Sequence, residues 1–159
     1  MQVGIIMGSQ SDLEVVRESV EVLRQFKVSA DVKILSAHRT PGELSTYVKK
    51  AVSSGVKVFI CAAGFSAALP GVVASHTSVP VIGIPLENSS LKGLDALLSI
   101  VQMPGGVPVA CMSIGKAGAK NAALFAVQIL ALSDARLRSQ LSAYKKEMAR
   151  KVIKAKVNL

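Results

Sequence analysis

Runs of small and β-branched apolar residues recur along the chain, at Val3 to Met7, Asp31 to Leu35, Val56 to Ala62, Val79 to Pro85 and Val107 to Ile114. Apart from Asp31 and Lys33 in the second, they are continuous rather than alternating, the pattern of strands covered by helices on both faces. After the first run, Leu13, Val16, Val20, Leu23 and Phe26 fall at intervals of three and four and so share one face of a helix. A second helix is predicted to open at Pro41, with Thr40 as N-cap and Glu43 in its first turn, and to end near Gly55. Alternating strands and helices, joined by right-handed crossovers, build a parallel sheet. The expected fold is therefore an α/β three-layer sandwich with a flavodoxin-like parallel sheet of about five strands. A C-terminal helix is expected over about 134–157, and the whole chain, 1–159, reads as a single domain.

One stretch departs from this pattern. From Ala117 to Leu132, apolar residues occur all round the helical wheel, with Lys120, Asn121 and Gln128 as the polar interruptions. A helix of this kind needs cover on nearly every side. The chain is short to enclose it, which predicts a subunit interface and a homo-oligomer. The alternative is a central helix packed under the basic C-terminal helix of the same chain.

Composition narrows the class. Half the residues are hydrophobic, yet there are only four Phe, two Tyr and no Trp, so Val, Ile, Leu and Ala must form the core. Pro, Gly, Ser and Lys interrupt every apolar run before it reaches the length of a membrane span. The N-terminus leads straight into a strand and does not read as a signal peptide. Cys61 and Cys111 lie in apolar runs, where buried free thiols in a reducing cytoplasm are the expected reading. The net charge of +9 is uneven, because eight basic and two acidic residues follow from Asp134 onward. A solvated basic helix explains that tail better than a nucleic-acid partner, since no aromatic residues interleave the charges in a recognition pattern.

Ligands of open parallel sheets bind outside the carboxyl ends of the strands. After the first strand stands Met7-Gly8-Ser9-Gln10-Ser11-Asp12, where Gly8 permits a tight turn and Ser9, Ser11 and free N–H groups suit an anion or ribose. Asp12 would repel a phosphate but accept from sugar hydroxyls; an ordinary helix cap by Ser11 or Asp12 is an equal alternative reading. After the second strand, Ser36-Ala37-His38-Arg39-Thr40-Pro41 crowds an imidazole, a guanidinium and two hydroxyls into one loop. The guanidinium fork suits phosphate or carboxylate, and an imidazole can take and return a proton near neutral pH. After the third, Gly64 to Gly71 offers small residues and backbone amides to a planar ligand. Pro104-Gly105-Gly106 and Gly115 to Gly118 are further loop candidates, and His76 reads as exposed and structural. The sequence contains no P-loop, dinucleotide fingerprint, metal-ligand spacing or nucleophile elbow, so no metal or cofactor is expected.

Taken together, MGSQSD at Met7 to Asp12, SAHRTP at Ser36 to Pro41, ALPG at Ala68 to Gly71, VPVIGIP at Val79 to Pro85, and SIVQMPGGVPVA followed by IGKAGAKNAA resemble the PurE family over almost the whole chain. SAHRTP resembles class I, the N5-carboxyaminoimidazole ribonucleotide mutases, whereas class II enzymes resemble SAHK there. The resemblance implies a cytoplasmic, cofactor-free purine-biosynthesis enzyme that forms octamers and moves a carboxylate within a ribonucleotide. By the same resemblance His38 is the acid and base. Ser9, Asp12, Ser36 and Arg39 meet the phosphate and ribose, and Gly8, Ser11, Gly64, Ala68 and Leu69 complete the substrate site. Many class I members read GGAAHLPG where this chain has Gly64 to Gly71, so Phe65 replaces a glycine and Ala68 a histidine. Two alternatives remain: direct carboxylation of aminoimidazole ribonucleotide by carbon dioxide, and a non-catalytic nucleotide-binding module.

Overall fold

The computed structural model describes residues 1–155. Strands β1 (Val3–Met7), β2 (Ala30–Ile34), β3 (Val58–Ala63), β4 (Val81–Pro85) and β5 (Ala110–Cys111) alternate with helices α1 (Leu13–Gln25), α2 (Pro41–Ser53), α3 (Leu69–Ser75), α4 (Leu94–Val101) and α5 (Gly115–Ala131), and α6 (Ala135–Lys154) follows. All the strand pairs are parallel, in the order β2-β1-β3-β4-β5. This is the flavodoxin-like three-layer sandwich that the apolar runs predict. The expected C-terminal helix extends to 157, past the last described residue.

The two faces of the sheet carry separate cores. Ile5, Met7, Ile60, Ala62 and Ile84 point toward α1 and α5, while Ile6, Phe59, Cys61 and Ala63 point toward α2, α3 and α4. Each central strand is buried at every position, which is why its sequence is continuously apolar. β2 departs from that expectation. It lies at the sheet edge, partly exposed throughout, and Ile34 is 51% exposed. The other edge strand, β5, is also shorter than the Val107 to Ile114 run suggests. Its pairing is limited to Ile82 with Ala110 and Gly83 with Cys111, and Pro108, just before it, has no N–H to extend the ladder. Its edge position also leaves Cys111 half-buried rather than buried, whereas Cys61 is fully enclosed. Burial pushes both thiols above their ordinary range, which suits structural residues better than nucleophiles.

The apolar α5 is enclosed largely by its own chain. Gly118, Ala119, Ala122, Ala123, Ala126, Val127 and Leu130 are buried against α1, α6 and the strands, while Lys120, Asn121, Phe125 and Gln128 face outward. Small residues let α1 come close enough for the buried Ser19 hydroxyl to donate to the Ala119 carbonyl at 2.7 Å. The intrachain alternative therefore accounts for α5, and the argument that it must be a subunit interface does not hold. Asp134 caps α6 by accepting from Arg136 N and Leu137 N at 2.9 and 3.2 Å, and Arg136 donates back to the Phe26 carbonyl at 3.0 Å. Beyond the buried Leu137 most of α6 is solvated, as its charge suggests. No helix among the described residues is long and apolar enough to cross a membrane.

Candidate active site

β1 and β2 are neighbours, so the loops that leave their carboxyl ends lie side by side. In the first, Ser9 is the N-cap of a single 3-10 turn, Gln10–Asp12, that leads into α1. Ser9 N donates to Asp12 Oδ2 at 3.0 Å, and Ser11 N reaches Ser9 Oγ at 3.4 Å, so Ser9 and Asp12 cap the turn reciprocally; Asp12 also stands at the N-cap position of α1, where its side chain makes no cap bond. The Ser11 hydroxyl lies 3.0 Å from Ser9 Oγ and 3.3 Å from Asp12 Oδ1. The Asp12 side chain is nearly buried, and its Oδ1 also accepts from Asn88 Nδ2 at 2.8 Å, across the site from the end of β4. A carboxylate accepts about four hydrogen bonds. Most of that capacity already holds the turn together.

Asp12→Ala would remove the acceptor for Ser9 N and leave Asn88 without its partner. We expect it to cost about 1–2 kcal/mol of stability. A shift in the urea midpoint at unchanged m-value checks this.

The second loop is closed by its own side chains. Thr40 is the N-cap of α2 by position, yet its hydroxyl makes no cap bond; it accepts from Ser36 N at 2.9 Å and donates to the Ser36 carbonyl at 3.1 Å. Arg39 N reaches Ser36 Oγ at 3.2 Å, and the Arg39 guanidinium crosses to the first loop, donating to the Gly8 carbonyl at 2.8 Å. Arg39 thus ties the two loops together. Its Nε also reaches Ser36 Oγ at 3.4 Å, and the remaining guanidinium N–H groups have no partner among the described residues. His38, at the tip, is exposed and makes no hydrogen bond among the described residues.

The third wall follows β3. Gly64, Phe65 and Ser66 turn the chain, and Ala68 is the N-cap position of α3, whose first turn holds Leu69 and Pro70. Phe65 has φ +55 and is 60% exposed. This left-handed conformation costs a bulky side chain on the order of 1–3 kcal/mol.

These walls enclose a cavity of about 560 Å³, open on one side, lined by Gly8, Ser9, Ser11, Asp12, Ser36, His38, Arg39, Gly64, Ala68 and Leu69 together with Ala37, Ala63, Phe65, Ser66, Ala67 and Asn88. The size suits a small ligand. The cavity straddles β1 and β3, where successive crossovers depart to opposite faces and leave a crevice. Every residue assigned to the site from sequence lies on its wall. Of the other loop candidates, Gly115 to Gly118 form the first turn of α5, and neither they nor Pro104 to Gly106 line the cavity. His76 sits half-buried at the end of α3, away from it. Asn88 is the lining residue that sequence reading passed over. Its place three residues past the end of β4 was the available signal.

The model of a known family, described as AIR carboxylase, matches residues 2–151. The chain belongs to that family. Among curated relatives, this AIR carboxylase family member is 50% identical over 149 residues to an N5-carboxyaminoimidazole ribonucleotide mutase of Pyrococcus abyssi, covering 94% of this chain and 84% of that one. It is 47% identical over 156 residues to the mutase of that name from Saccharolobus solfataricus, with 98% of each chain covered. The crystal structure of Treponema denticola PurE superposes with a TM-score of 0.87 at 31% identity, covering 96% of this chain and 94% of that one. The family member described here holds no group of three His, Cys, Asp or Glu placed to bind a metal, among the described residues.

Proposed function

We propose that this chain is an N5-carboxyaminoimidazole ribonucleotide mutase of purine biosynthesis. The observation that carries the reading is the convergence of the His38-Arg39 loop and the Ser9 to Asp12 turn on one cavity, locked by the Arg39 to Gly8 bridge. The names of relatives about half identical over nearly the whole chain support it.

In this reading Arg39 and the hydroxyls of Ser9, Ser11 and Ser36 bind the phosphate and ribose, with Asp12 holding their turn in place. Gly8, Gly64, Ala68 and Leu69 let the planar aminoimidazole approach the backbone. His38 supplies a proton to N5 as the N5–carboxylate bond breaks and carbon dioxide is released within the site. The electron-rich C4 then attacks that carbon dioxide, and His38 takes the C4 proton, so the imidazole ends as it began. The substrate ring is its own carbon nucleophile, and the route draws on no cofactor or metal. The bound ribonucleotide must itself cover the open side of the cavity for carbon dioxide to stay until C4 captures it.

We expect the protein to act in the cytoplasm as a homo-oligomer, an octamer by the family resemblance. Leu91, Leu94, Leu98 and Val101, on and beside α4, are each at least 50% exposed and form an apolar stripe that a second copy would cover. Light scattering at micromolar concentration tests this, and a monomer would overturn it.

The function is tested by supplying purified protein separately with N5-carboxyaminoimidazole ribonucleotide and with aminoimidazole ribonucleotide plus bicarbonate. Rapid conversion of the first is expected. Turnover of the second alone would replace the mutase by a carboxylase.

A further inference from the structure

Phe65 is the one large aromatic side chain on the cavity wall, and the fold gains little from it. The residue is 60% exposed, so it contributes little to the core, while its backbone is held at φ +55, a conformation disfavoured for any bulky residue. An aromatic residue with neither burial nor easy backbone geometry to recommend it needs another source of favourable contact. The cavity provides one. Beside Phe65, Ala68 has only a methyl group facing the same space, and Ala63, Ala67 and Leu69 continue an apolar wall. Ser66 is the polar residue on this wall; His38 and Arg39 lie on the loop after β2. A ligand held by its phosphate at Arg39 would present its planar end to this apolar wall.

We propose that Phe65 is a substrate-contacting affinity residue, its ring covering the flat face of the bound heterocycle. This rests on the ribonucleotide reading of the site. Phe65 and Ala68 then act together: a small side chain at 68 leaves room for a ring from 65.

The test compares Phe65→Asn, which tolerates the left-handed backbone but has no ring, with Phe65→Gly and Phe65→Tyr. Steady-state kinetics with N5-carboxyaminoimidazole ribonucleotide are combined with calorimetric binding of aminoimidazole ribonucleotide, which reports on contact without turnover. Stacking on an aromatic ring supports an increase of about tenfold in KM and Kd for the Asn and Gly variants. The Tyr variant should stay within about twofold of the parent, because it keeps the flat ring. Neither ringless variant should melt below the parent.

If the parent converts its substrate and the Asn and Gly variants match its KM and Kd, the inference fails while the mutase reading stands. A change in oligomer distribution with KM unchanged would assign the ring to a subunit contact and likewise overturn it. A parent that neither binds nor converts the ribonucleotides overturns both.

Discussion

Purified His38→Asn protein is expected to convert N5-carboxyaminoimidazole ribonucleotide at least about 10³-fold more slowly than the parent, within the range that a positioned acid and base contributes. Its melting temperature should stay within experimental error of the parent's. The two expectations have separate grounds. His38 is exposed and has no hydrogen bond among the described residues, so the fold does not depend on its imidazole. The loop's shape comes instead from the Ser36–Thr40 pair and from Arg39 bridging to Gly8, none of which the substitution touches. Asparagine keeps a polar side chain of similar reach but cannot relay a proton between N5 and C4. Since Arg39 and Ser9 remain, ribonucleotide binding should change far less than turnover. Loss of kcat with Kd nearly intact identifies a proton-transfer residue; a variant keeping more than a tenth of parental turnover would move that role elsewhere.

The largest expected effect on stability comes from one methyl group. Gly118 stands in the first turn of α5, where a Cβ would overlap the Ser113 carbonyl oxygen and lie 2.7 Å from its carbon. Both partners are backbone, so no rotamer change relieves the clash. The start of α5 must shift, and α5 is buried against α1, β3 and β4. Gly118→Ala should therefore destabilise by about 3 kcal/mol or more, at the upper end of overpacking costs. Helix propensity alone predicts the opposite sign, because alanine is favoured over glycine by about 1 kcal/mol. Gly42 is the matched control. It lies in α2 with nothing within 4 Å of an added Cβ, and Gly42→Ala should be neutral or stabilising by up to about 1 kcal/mol. Urea denaturation of both variants separates the effects, and a Gly118→Ala protein as stable as its parent would show that the approach of α5 to the β5 loop is loose.

The central strands were legible because burial on both faces removes the need for alternation: Val58 to Ala63 and Val81 to Pro85 are apolar throughout. The edge strands are not buried throughout in this way. β2 carries Asp31 and Lys33 between its apolar residues, a local sign of a half-exposed strand, but that Ile34 faces solvent follows from sheet order, which no local window contains. The Thr40 cap shows a similar limit. The residue and its position are visible in sequence, but its hydroxyl is drawn to Ser36, whose backbone groups the loop closure brings within reach.

By itself the sequence determined the α/β class, the parallel sheet and the loops that bear His38, Arg39, Ser9 and Asp12, because each depends on residue type and short-range spacing. Only the tertiary structure decided that Arg39 joins two loops, that Asn88 reaches across to Asp12, that α5 is covered by its own chain and that Phe65 stands in a strained backbone at the cavity wall. Those features arise between segments far apart in the chain, or from the φ that a turn imposes. Their energies depend on distances that exist only once the sheet has brought its strand ends together.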